Sequence, residues 1–375
     1  MRETHHIFLV PGFFGFANLG KLTYFGHVRE LLVQCSAARG LRAQVHVVKT
    51  LPTASLPTRA VRVLEAMAAK LGHPHDVAHI VGHSSGGLDA RLVATPQVVL
   101  PTDLNIERFA ARIGSVVTVS TPHYGTPLAS FFTSLLGGRL LQALSLSTIY
   151  LLRFGHLPLR ALLQLGAIFA RVDNVAMNSA VLEEVFGLLL RHFSVGRRRA
   201  VQALFAEVVK DRALLVQLTP EAMQLFNASV RNRPGVRYAC VTSNAQRPGL
   251  RSTLLTGMDP SAQAIHAVYR TLYGLAAQMP RTRAPALAPE QVRALRHAYG
   301  TLPALAANDG VVPTRSQVWG EIIHAARADH LDVIGHFQDP SRVPPHVDWL
   351  ATGSEFSREK FQALWIDVVR CITGS

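Results

Sequence analysis

Five short apolar or β-branched runs, Ile7–Val10, Ala43–Val48, Val77–Val81, Ile113–Val119 and Val236–Val241, are separated by stretches with helical spacing. That alternation constrains the fold more than any other feature. A strand joined to the next through a helix pairs with it in parallel, so the pattern predicts an α/β chain whose sheet is covered by helices on its faces. Pro57–Leu71 reads as one covering helix, with Val61, Leu64, Met67, Ala68 and Leu71 on one stripe and Arg59, Arg62 and Lys70 off it. With 375 residues, 49% of them hydrophobic, the chain has ample material for a buried core, which excludes disorder as the default state.

The strand signals stop between about Leu128 and Leu215, where apolar helical sequence takes over. A membrane span around Phe131–Leu152 would place Arg139 near its centre, at about 2.5 to 3.5 kcal/mol, and Gly137-Gly138 weakens it further. The expectation is therefore a helical cap, 128–215, inserted between a first core segment, 1–127, and a second, 216–375. A Pro- and Ala-rich stretch, Gln278–Gln291, reads as a surface excursion before a helix at Val292–Ala298.

The formal net charge of +14 is not spread as in a nucleic-acid binder, and no nucleic-acid partner is expected. No acidic residue stands between Glu107 and Asp173, while Arg108, Arg112, Arg139, Arg153, Arg160 and Arg171 fall there among apolar residues. Cys35, Cys240 and Cys371 are too few and too scattered for a disulfide framework or a zinc site. The first strand begins within a few residues of Met1, leaving no room ahead of it for a secretory leader. A cytoplasmic protein is favoured, with an exported form trimmed of its leader as the alternative.

The chemistry is concentrated in "VAHIVGHSSGGLDARLV", residues 77–93. Gly82-His83-Ser84-Ser85-Gly86 matches G-x-S-x-G, with an apolar strand running in and a helix-compatible segment running out. That context marks a nucleophile elbow presenting the Ser84 hydroxyl. A serine needs a histidine to take its proton and an acid to orient that histidine, and in this arrangement they follow in the order acid, then histidine. "NDGVV" supplies Asp309 and "ADHLD" supplies His330. Asp332 is the rival acid, and His336 and His346 are rival bases.

These stretches resemble the bacterial triacylglycerol lipase branch of the α/β-hydrolase superfamily. The resemblance rests on "VGHSSGGLDARL", "STPHYGTPLASF" at 120–131, "LTPEAMQLFN" at 218–227, "NDGVVP" at 308–313 and "ADHLDVIGH" at 328–336, in the family's order and over most of the chain. It implies an α/β-hydrolase fold, a mostly parallel sheet flanked by helices with a helical cap insertion, and a lipase acting through an acyl-enzyme on Ser84. Backbone N–H groups of Phe13 and Ser85 would form the oxyanion hole. Where the family has His-Gly before the first of these, this chain has Pro11-Gly12. Phe13, Phe14 and Phe16 would wall an acyl-chain pocket or pack as core under the cap, and His83 is expected beside the substrate.

The resemblance also raises a structural calcium ion. Asp332 stands where one ligand is expected, but His336 and Pro340 occupy other ligand positions, so no cofactor or metal is expected. His5-His6 and His73-Pro74-His75 lack metal-site partners and read as solvated turns. The expected partner is an ester or lipid substrate, with the cap's arginines near anionic head groups at a lipid interface. A carboxylesterase or polyester depolymerase would use the same three side chains. The sequence leaves oligomeric state open.

Overall fold

A computed structural model describes residues 4–13, 24–154, 157–170, 175–196, 198–199, 201–203, 211–249, 260–339, 350 and 352–374. Six parallel strands form one sheet: β1 (His5–Val10), β2 (Ala43–Val47), β3 (Val77–His83), β4 (Ile113–Val119), β5 (Arg237–Ser243) and β6 (Glu321–Ala326), in the order β2-β1-β3-β4-β5-β6. The chain steps from β1 outward to β2, then returns to the other side of β1 for β3. Connections therefore leave the carboxyl ends of β1 and β3 in opposite directions and open a crevice there, where sites form in open parallel sheets.

Central strands are buried on both faces, as covering helices require: Ile7 to Val10 in β1 and Ile80 and Val81 in β3 are solvent-free. β6, unrecognised in the sequence, is half-buried along most of its length, and His324 interrupts its apolar run. A strand covered on only one edge carries a weaker pattern.

Helix α1 (Val28–Ala38) is followed by α2 (Leu56–Lys70), capped by the Ser55 hydroxyl accepting from the Thr58 N–H at 3.4 Å. Its inward stripe is Leu56, Ala60, Val63, Leu64 and Met67, and Arg59, expected off the stripe, is fully buried on it. The α2 guanidinium reaches Asp89 of α3 (Gly86–Ala94) with Nε and Nη2, donates through Nη1 to the Leu51 carbonyl, and through Nη2 to the Pro11 carbonyl at 2.8 Å. With all three nitrogens engaged, the guanidinium is held in the interior at the cost that pairing offsets. β1 also overturns the reading of His5-His6 as a solvated turn, because both lie in that strand and His6 is 4% exposed. His73 and His75 are exposed in the turn before β3.

A short helix, α4 (Ile106–Ala110), leads into β4; after that strand come α5 (Pro127–Phe132), α6 (Leu135–Phe154), α7 (Leu159–Ala170), α8 (Val175–Leu190), α9 (Ala213–Gln217) and α10 (Pro220–Ser229), of which α5 to α9 form a helical layer within or against the expected cap. No helix of the described residues is long and apolar enough to cross a membrane. A later helix, α11 (Pro260–Ala276), joins this layer although the sequence reading left it in the core segment. Thr271 donates to the Phe169 carbonyl at 3.0 Å, and a Cβ on Gly166 would lie 2.8 Å from the Ala264 Cα, so α7 and α11 approach backbone to backbone. The helix expected at Val292–Ala298 is α12 (Pro289–Tyr299), and α13 (Arg358–Thr373) closes the chain against α1 and β6.

Candidate active site

β3 ends at His83, and Ser84 takes φ 55°, a left-handed conformation that costs energy for a residue with a Cβ. The turn persists because its surroundings determine it. The Ser84 N–H donates to the Val119 carbonyl at 2.9 Å, and a Cβ on Gly86 would lie 2.2 Å from the Val10 carbonyl oxygen, so only glycine lets α3 start against β1. Gly12, at the end of β1, is equally confined: its Cβ would fall 2.5 Å from the Ser84 Cβ. The turn after β1 therefore lies directly on the serine. Phe13 follows it, and Ser85, at the amino end of α3, has an N–H with no intrahelical partner.

His330 is carried on the loop after β6, and Asp309 on the long connection between β5 and β6. The His330 Nδ1 lies 2.8 Å from Asp309 Oδ2, and the His330 N–H donates to the Asp309 carbonyl at 3.0 Å. Asp309 is solvent-free and richly supplied with donors. Its Oδ1 accepts from the N–H groups of Val311 and Val312, and its Oδ2 from the Ser243 hydroxyl at 2.7 Å and the Gln317 amide at 3.1 Å. Such a shell fixes the carboxylate in one orientation.

Ser84 and His330 open together onto one narrow, largely apolar cavity. Phe13, Tyr24, Leu128, Phe132, Leu141, Leu144, Leu215 and Leu272 are among its walls, drawn from the β1 turn, α5, α6, α9 and α11. Ser84 remains 7% exposed and His330 2%, a reach suited to a substrate that displaces water.

The rival assignments separate. Asp332 turns away from His330, its Oδ2 accepting from the Asp329 N–H and the Ser354 hydroxyl, while His336 Nε2 donates to the Tyr24 carbonyl at 2.7 Å. Phe14, Phe16 and His346 lie outside the described residues. His83, expected beside the substrate, is solvent-free, with Nδ1 2.7 Å from the Tyr24 hydroxyl and Nε2 2.9 Å from the His330 carbonyl oxygen.

Two further carboxylates, Asp329 and Asp332, flank the histidine in sequence and are both solvent-free. Asp329 Oδ1 accepts from the N–H groups of Leu331 and Asp332 and Asp332 Oδ2 is engaged as above, while Asp332 Oδ1 is buried with no hydrogen-bond partner among the described residues. Among the described residues no three His, Cys, Asp or Glu side chains are grouped to hold a metal.

Comparison with solved structures bears on the architecture. The Staphylococcus hyicus lipase matches over 100% of this chain and 97% of its own, at 16% identity and a TM-score of 0.53. Lipase 1 from Pelosinus fermentans matches over 98% and 99%, at 16% identity and 0.52. A metagenomic carboxyl esterase matches over 99% of this chain and 76% of its own, at 19% identity and 0.51. The chain has the α/β-hydrolase fold. No protein-family model and no curated relative matches the sequence. Within the α/β-hydrolase fold, Tyr24, Arg59, Ser243 and Gln317 are supports that the sequence reading missed, since each acts through partners distant in the chain.

Proposed function

We propose that the protein is a carboxylic ester hydrolase that works through an acyl-enzyme on Ser84, and that its substrates are acylglycerols. The observation that carries this reading is the Asp309–His330 pair at 2.8 Å, opening onto the same apolar cavity as a serine on a strained strand-to-helix turn. In the cycle, His330 Nε2 takes the Ser84 proton as Oγ attacks the ester carbonyl. The oxyanion is met by the N–H groups of Phe13 and Ser85, each donor of this kind typically contributing about 3 to 4 kcal/mol. His330 then returns the proton to the departing alcohol, and a water activated by the same nitrogen releases the acid. The Asp309 carboxylate holds Nδ1–H and so keeps Nε2 free as the base.

The acyl chain is assigned to the leucine- and phenylalanine-lined cavity, which offers aliphatic contact and few polar groups to recognise anything else. Docking at a lipid surface belongs to the same proposal. Leu159 and Leu163 of α7 are 50% and 43% exposed, and Arg139 of α6 is exposed as well. Glu184 of α8 pairs with Arg160, so the layer is less uniformly cationic than its arginines suggest.

A chain-length series of p-nitrophenyl esters, with triglyceride emulsions as the second substrate, tests the reading. Ser84→Ala should remove turnover and fluorophosphonate labelling together. Preference for short soluble esters, with no hydrolysis of the emulsion, would make the protein a carboxylesterase or polyester depolymerase instead.

A further inference from the structure

If Phe13 donates to the oxyanion, its N–H must be aimed, yet the residue before it is a glycine with no side chain to restrict it. Glycine is required there because a Cβ would strike Ser84. The freedom it brings must be removed by contacts on the backbone itself. The peptide unit joining Pro11 to Gly12 is held at both ends: its carbonyl accepts from Arg59 Nη2 at 2.8 Å and its N–H donates to the Tyr24 hydroxyl at 3.0 Å. One plane is thus fixed immediately before the peptide that carries the Phe13 N–H.

The Tyr24 contact belongs to a longer chain. Its hydroxyl lies 2.7 Å from His83 Nδ1, and His83 Nε2 lies 2.9 Å from the carbonyl oxygen of His330. The direction of every proton in it is determined. A carbonyl oxygen can only accept, so Nε2 bears the hydrogen and Nδ1 the lone pair. Tyr24 consequently donates to Nδ1 and accepts from Gly12. Burial keeps both side chains neutral, pushing the tyrosine hydroxyl up and holding His83 well below the ordinary histidine range. The chain therefore persists through the pH range in which an ester hydrolase works.

We propose that Tyr24 and His83 are positioning residues, a hydrogen-bonded strut running from the Gly12 N–H to the His330 backbone that sets the oxyanion turn and the base relative to one another. This rests on the reading of Ser84, His330 and the Phe13 N–H given above. Neither side chain reacts. Tyr24 also faces the cavity, so its ring must be kept when its hydroxyl is removed.

Tyr24→Phe deletes that one hydroxyl. With a p-nitrophenyl ester it should lower kcat about 10- to 100-fold, less than the complete loss of an oxyanion donor, and leave KM within about twofold. Affinity for a trifluoromethyl ketone, which adds to the serine as a tetrahedral anion, should fall by a similar factor. His83→Phe should reproduce the defect. His83→Gln, whose amide offers an acceptor and a donor, should recover part of the rate, a rescue that packing alone does not provide. Thermal unfolding of each variant identifies any that fail to fold, and Tyr24→Phe, one atom smaller, is the variant on which the decision rests. Unchanged kcat in Tyr24→Phe, a loss confined to KM, or a lower kcat with undiminished ketone affinity overturns the proposal. Ser84→Ala measured beside them separates the two levels: if it is inactive and Tyr24→Phe is normal, only the strut fails, whereas residual activity in Ser84→Ala removes the underlying reading.

Discussion

At the scale of single residues, the two adjacent serines of the elbow make opposite demands. Ser84→Ala should abolish ester hydrolysis. Ser85→Ala should leave kcat within a fewfold, because only its backbone N–H is assigned a task and its buried hydroxyl has no hydrogen-bond partner among the described residues. The reverse pattern in steady-state kinetics would move the nucleophile. Asp309→Asn keeps the shape but offers an amide where His330 needs an acceptor, so kcat should fall by about 10³ to 10⁴, while Asp332→Asn, bonded to Ser354 and its own loop, should leave kcat nearly unchanged. The strained turn at Ser84 was legible because strand, turn and helix signals are contiguous around it, and the pairing of Asp309 with His330 because an acid followed by a histidine is the order sought after such a turn. Tyr24 was not. Its partner His83 is 59 positions away, and nothing in "LTYFGH" distinguishes a tyrosine that braces a turn from one that fills space.

At the scale of elements, the layer above the sheet is less free to move than a separate insertion would be. Gly166 of α7 lies against Ala264 of α11, and α11 in turn holds the loop of Asp309, since the Asn308 amide donates to the Tyr273 carbonyl at 3.1 Å. A bulkier side chain at this crossing should be felt twice. Gly166→Leu is expected to destabilise by about 1 to 3 kcal/mol in urea unfolding, through a clash with backbone that cannot yield, and to lower kcat by disturbing the acid loop. If instead stability and kcat were both unaffected, α7 would be a mobile flap and not part of the frame. The helical character of this layer was visible in its periodicity. The partnership with α11 was not, because which amphipathic faces meet is decided by packing in three dimensions. β6 escaped notice for a related reason, its half-covered edge position leaving "EIIHAA" without a clean alternation.

At the scale of the molecule, buried histidines make stability depend on pH. Burial lowers His46 to about 4 and His79 to about 3, and brings His6, His83 and His123 down as well. The unfolded chain takes up protons at these five near the ordinary value of about 6.5, and the folded chain does so only at lower pH. The unfolded state therefore binds more protons between those limits, and stability rises with pH across the window. The midpoint of thermal unfolding should drop as pH falls from 7 to 5, and His79→Gln should flatten the slope; a level profile in the parent protein would contradict the assignment of these rings as neutral. The parallel order of the sheet has one more consequence, in time. The elbow belongs to the third strand, but the acid and the base arrive on the connections around the fifth and sixth, so a growing chain displays its serine long before anything can activate it. Ribosome-bound chains arrested near residue 300 should not react with a fluorophosphonate, and labelling should begin only once the loop after β6 has emerged. A hydrolase built in this order stays inert toward the esters around it until the loop after its sixth strand has been made.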